Sequence, residues 1–167
     1  MDPADQLGFE LVLLNITQET VTRPNMRAVV GDAADMSSFV DKEFDVVISN
    51  SVIEHLPDPD RQRRMAQEIS RVGRRYYVQT PNRYFPLEPH FLFPAFQFLP
   101  LRVQVYLLTH FSLGWYEKQA TRAAARDVAT SIRLVSGREL RRWFPGARIV
   151  RERLLGFPKS FIVIGQE

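Results

Sequence analysis

The sequence contains no cysteine in 167 residues. That excludes disulfides, thiolate metal sites and cysteine nucleophiles, and it fits a reducing compartment. Lysine is scarce, with only Lys42, Lys118 and Lys159, so arginine carries nearly all of the formal charge of +3. Arg61, Arg63, Arg64, Arg71, Arg74 and Arg75 lie along and just beyond one surface helix, among acidic neighbours. This is the pattern of a solvated face, and no nucleic-acid partner is expected. The most apolar stretch, residues 91–108, is broken by Pro94, Gln97, Pro100, Arg102 and Gln104 and falls short of a membrane span. Peripheral membrane contact stays open, with Arg83 and Arg102 near headgroups. The start, Met1 to Asp5, is acidic and lacks the apolar core of a signal peptide, so a cytoplasmic location is expected.

What is present is enough apolar residue, 45% of the chain, to bury one ordinary core, and a single domain over residues 1–167 follows. Short apolar runs at residues 11–14, 27–30, 46–48 and 76–78 alternate with helix-like segments, predicting an α/β fold with a mostly parallel sheet. Between the third and fourth runs, Asp58 and Pro59 open a helix whose Met65, Ile69 and Val72 share a face, and Gly73 ends it. Ser136 and Glu139 have capping-box spacing and predict a helix over about 137–144. Two strands, 147–155 and 160–164, then form an antiparallel hairpin joined through Gly156 to Lys159. Residues 82–131 hold more than half of the aromatic side chains and read as a helical, aromatic-rich insertion or cap.

Ligands of open parallel sheets bind beyond the carboxyl ends of the strands. There the runs are followed by Asn15 and Thr17, by Gly31-Asp32-Ala33, by Ser49-Asn50-Ser51 and by Gln79-Thr80. Each could equally be an ordinary polar turn. The order of these residues, however, resembles the class I S-adenosylmethionine-dependent methyltransferases, in particular the broad group acting on small-molecule and lipid-like substrates. Gly31-Asp32-Ala33 resembles the family's third-strand motif, and the segment from Phe44 to Leu56 resembles its fourth-strand motif and the turn after it. The resemblance implies a Rossmann-like sheet and S-adenosylmethionine as cofactor. It also implies that Asp32 and the Ala33 amide meet the adenine, and that Ser49, Asn50 and Ser51 border the methionine part.

The chain departs from the family's pattern at two places. Asn15 stands where the family has an acidic residue for the ribose hydroxyls, a weaker acceptor because it carries no charge. Nothing upstream of residue 11 resembles the first strand and its glycine-rich loop, whose glycines let the backbone approach the cofactor. The resemblance thus implies an N-terminally truncated domain, with that strand and loop missing.

Methyl transfer needs alignment and exclusion of water but no metal. For a hydroxyl or amine acceptor a base is also needed, and His55, Glu54 and His90 are the candidates; Glu54 and His55 could equally just satisfy backbone groups at a helix start. The aromatic section suits a small, apolar or lipid-like acceptor, or simply its own packing. Two rivals remain at this level: a nicotinamide-dependent oxidoreductase, and a non-catalytic scaffold whose open sheet edge pairs with a second copy as a homodimer. The assignment requires Asp32 and Asn50 to lie on one rim of the sheet.

Overall fold

Short runs of mainly apolar residues supply the first strands, β1 (Leu11–Asn15), β2 (Met26–Val30) and β3 (Phe44–Asn50). In the computed structural model residues 8–166 are described; Met1 to Asp5, and with them the expectation about export, lie outside these. A 3-10 turn, Ile53–His55, leads from β3 into α1 (Pro59–Val72). The start of α1 is fixed as its sequence predicts. Pro59 occupies the first turn, and the Asp58 carboxylate accepts from the Asp60 amide at 2.9 Å. Met65, Ala66, Ile69 and Val72 are buried along one stripe, each large side chain stabilising by roughly 1.5–3 kcal/mol relative to exposure.

β4 (Gly73–Pro81) begins at the very residue that ends α1. Gly73 is therefore not the left-handed terminator expected of a helix-ending glycine: its φ is −95°. Glycine is needed there for close approach instead, since a Cβ would lie 2.9 Å from both Val47 Cγ2 and the Arg75 carbonyl oxygen. The chain continues through β5 (Leu87–Glu88) and β6 (Phe93–Pro94) to α2 (Leu101–His110) and α3 (Arg122–Thr130). It finishes with α4 (Gly137–Trp143), β7 (Arg148–Leu154) and β8 (Phe157–Gln166). At α4 both halves of the capping box form between Ser136 and Glu139.

The fold is α/β, with parallel strands and an antiparallel C-terminal hairpin. β3 pairs with β4 in parallel, β4 with β8 and β8 with β7 antiparallel, giving the order β3-β4-β8-β7. β1 and β2 form a separate parallel pair. The two pieces share one core, because Val12, Leu14 and Val29 pack against the cluster containing Met36, Ile53, Ile69 and Val78. β3 is hydrogen-bonded only to β4 among the described strands. Leu13, Val30, Val46 and Ile48 are exposed, Ile48 at 73%.

The expected hairpin connection through Gly156 to Lys159 is corrected by the structure. β8 starts at Phe157, and the turn is Leu155-Gly156, with φ of 49° and 85°. Positive φ at both central residues is what a two-residue turn needs to match strand twist. The segment expected as an insertion builds its own small core of Phe91, Phe96, Leu108 and Ala125. Phe91 stacks on Phe96 and Tyr116, at centroid distances of 4.1 and 5.0 Å. Tyr84, Phe98 and Trp115 remain exposed.

Candidate active site

Each parallel strand delivers a polar side chain as it ends. At the end of β1 the Asn15 amide donates to Glu19 Oε1 at 2.7 Å, and its oxygen accepts from the Ile16 amide. A carboxylate therefore stands beside the position where the sequence shows only a neutral group. After β2, Asp32 Oδ1 accepts from the Ala34 amide at 2.9 Å, and Oδ2 pairs with Arg61 at 2.6 Å. Arg61 sits in the first turn of α1, so this exposed pair links the loop after β2 to the helix that follows β3. Ala33 is half-buried and packs on the core.

At the end of β3, Ser49 is buried and its hydroxyl has no hydrogen-bond partner. Asn50 is exposed. Ser51 takes a left-handed conformation, φ 52°, which is uncommon for a residue with a side chain and is over-represented at functional sites. Both its amide and its hydroxyl bond to Gln79, each at 3.0 Å. A cleft of about 670 Å³ opens beside Asp32, lined also by Ala34, Asp35, Arg61, Arg64 and Arg71. This is within the roughly 300–1,000 Å³ range of small-molecule sites. Asn50 is not among its lining residues.

The turn after β3 brings the three candidate bases together. Glu54 is fully buried; Thr80 donates to its Oε2 at 2.9 Å, and its Oε1 has no hydrogen-bond partner. His55, on the outer side of the same turn, meets His90 edge to face with ring centroids 5.1 Å apart. His90 comes from the segment between β5 and β6, 35 residues downstream in sequence, and its Nδ1 lies 2.8 Å from Glu88 Oε1. Glu88 is itself buried and accepts from the amides of His90 and Phe91.

Burial pushes the Glu54 carboxyl up, with backbone and Thr80 hydrogen bonds opposing in part. Burial also lowers His55, and repulsion from His90 adds to this. A lowered histidine is neutral at physiological pH, with a ring nitrogen free to accept a proton.

Glu19, beside Asn15, and Glu88, beside His90, escape a reading of strand ends. Glu88 alone carries a sequence signal, an acid two residues before a histidine in a turn-rich segment.

Residues 3–75 match the family model described as a methyltransferase domain. Two uncharacterised proteins of Mycobacterium tuberculosis, from strains CDC 1551 and H37Rv, are 41% identical over 56 residues. That stretch is 34% of this chain and 19% of the length of those relatives. A SAM-dependent methyltransferase from Methanosarcina mazei shares the fold at a TM-score of 0.52, with 15% identity, over 96% of this chain and 84% of that one. The PH0226 protein from Pyrococcus horikoshii does so at 0.54, with 18% identity, over 96% and 72%. Residues 3–75 thus resemble a methyltransferase domain in sequence, and nearly the whole chain shares the α/β fold of these two solved structures.

Proposed function

We propose that the chain takes part in transfer of a methyl group from S-adenosylmethionine to a small, apolar acceptor. The observation that carries this is that polar residues follow the parallel strands β1, β2 and β3 at their carboxyl ends, and that the turn after β3 carries Glu54 and His55 against His90. The residues fit the cofactor chemically. Ser49 has a buried hydroxyl in need of a partner, and Asp32 and Glu19 offer carboxylates able to accept from the amino and hydroxyl groups of an adenosyl moiety. The Asp32–Arg61 pair is 40% and 44% exposed; such a pair is worth little and yields readily to a ligand.

Bound S-adenosylmethionine supplies an already activated methyl group. The chain's part is then to orient the acceptor, exclude water and take up its proton. His55 is the group for that last role, being neutral and at the rim. His90, anchored by Glu88, limits where the His55 ring can turn. The insertion's aromatic side chains, among them exposed Tyr84 and Phe98, offer apolar surface for the acceptor or for shallow contact with a lipid surface.

Calorimetric titration of the chain with S-adenosylmethionine and, separately, with NAD tests the assignment. Binding of the former alone is expected; preference for the dinucleotide would establish the oxidoreductase alternative instead. A scaffold role is favoured by one specific observation, the edge of β3 that is open among the described residues, with exposed Val46 and Ile48. Unpaired strand edges recruit other strands, so self-association without S-adenosylmethionine binding would favour the scaffold.

A further inference from the structure

The Glu54, His55 and His90 cluster carries more than proton chemistry. One potential ligand atom from each of these residues lies within 4.8 Å of the others. Two imidazoles and one carboxylate form a donor set of borderline softness, suited to divalent first-row transition ions and poorly suited to calcium or magnesium, which prefer all-oxygen sites. Three protein ligands also leave coordination positions open, the arrangement of catalytic rather than structural centres.

Two further features separate this group from a chance gathering of polar side chains. Glu54 Oε1 is an unpartnered oxygen on a fully buried side chain, and buried carboxylates are normally paired with a cation or fully hydrogen-bonded. Thr80 holds the other oxygen and so fixes the carboxylate plane. On the opposite side, Glu88 engages His90 Nδ1 at 2.8 Å while two backbone amides lock the Glu88 carboxylate in place. Metal-binding histidines are oriented in this way, the second ring nitrogen donating to a carboxylate. With Nδ1 donating to Glu88, the ring's lone pair sits on Nε2.

We propose that Glu54, His55 and His90 form a binding site for one divalent transition-metal ion of the zinc and cobalt class, with Glu88 as the positioning residue for His90. Tetrahedral coordination at about 2.0–2.1 Å places ligand atoms roughly 3.3–3.5 Å apart. Occupancy therefore draws the side chains together by about an ångström, which the exposed His55 ring can supply. The site does not depend on S-adenosylmethionine binding. If that reading also holds, an ion held by these three residues would supply Lewis-acid activation of an acceptor oxygen or nitrogen.

The test uses the full chain, free of affinity tags and stripped with chelator, titrated with Co2+ and followed by visible d–d absorption, with Zn2+ competition. The expected result is one ion per chain, with binding weakened at least 100-fold in His55→Ala and in His90→Ala. Glu88→Gln should weaken it by about 10- to 100-fold. His110→Ala, which removes the remaining histidine, should leave it unchanged. His55→Ala alters an exposed ring and preserves the fold, so the test does not rely on Glu54 variants. Absence of cobalt bands at millimolar metal, or binding equally strong in His55→Ala and His90→Ala, would overturn the site. S-adenosylmethionine affinity measured on the same variants separates the two proposals, because loss of metal binding alone leaves it intact.

Discussion

At the scale of single residues, charge pairing does most to hold the loops around the candidate cleft. Arg71 donates through Nε and Nη2 to both oxygens of Glu68, and also reaches Asp41 and the carbonyls of Met36 and Phe39. Glu68 Oε2 also accepts from the Met36 amide at 2.8 Å. Hydrogen bonding to Arg71 holds the Glu68 carboxyl below its ordinary value of 4.5. A depressed carboxylate contributes stability that is complete above the unfolded value and is lost as pH falls through the folded one. Glu68→Gln is therefore expected to cost about 1–2 kcal/mol at neutral pH. The gap from the parent should shrink to nothing in acid, as read from denaturant midpoints at a series of pH values. Asp32→Ala should weaken S-adenosylmethionine binding by about tenfold or more, the worth of one hydrogen bond to a charged group. Calorimetry showing unchanged affinity would remove Asp32 from the cofactor site.

At the scale of elements, the sequence is most informative where local chemistry alone decides. Asp58 with Pro59, and Ser136 with Glu139, announce the starts of α1 and α4 because capping involves neighbours within one turn. Ser136→Ala should cost about 1 kcal/mol in chemical denaturation. Gly73→Ala should cost more, on the order of 1–3 kcal/mol, because the added methyl meets backbone and a β-branched side chain from β3. That reason is invisible in sequence, where a glycine after an amphipathic run reads as a cap. The turn at Leu155-Gly156 is hidden likewise, since leucine is a poor candidate for positive φ. It is tolerated there with its side chain 92% exposed. The long-range partners escape for a similar reason: Glu54 with Thr80 and His55 with His90 are 26 and 35 residues apart, and nothing in either local segment points to the other. The candidates themselves are legible as residues in or after strand-end loops, but their meeting requires the segment carrying His90 to fold back onto the turn after β3.

At the scale of the whole molecule, the sheet is divided. Among the described residues the four-stranded piece ends at β3 with an open edge, and the β1–β2 pair is held beside it by side chains rather than by ladder hydrogen bonds. An apolar, unpaired edge predicts self-association. Sedimentation equilibrium of the chain should show dimers or larger species, and Ile48→Lys, which places a charge on that edge, should shift them towards monomer. A clean monomer at high concentration for the unaltered chain would rule this out.

The grip of α1 on residues 36–41 has one more consequence. Those loop groups are tied to the middle and end of a helix, so opening of the loop requires the Glu68 and Arg71 side-chain bonds to break. Native-state deuterium uptake should accordingly find the Met36 amide protected, and deprotected in Glu68→Ala, while the turn at Leu155-Gly156 exchanges freely.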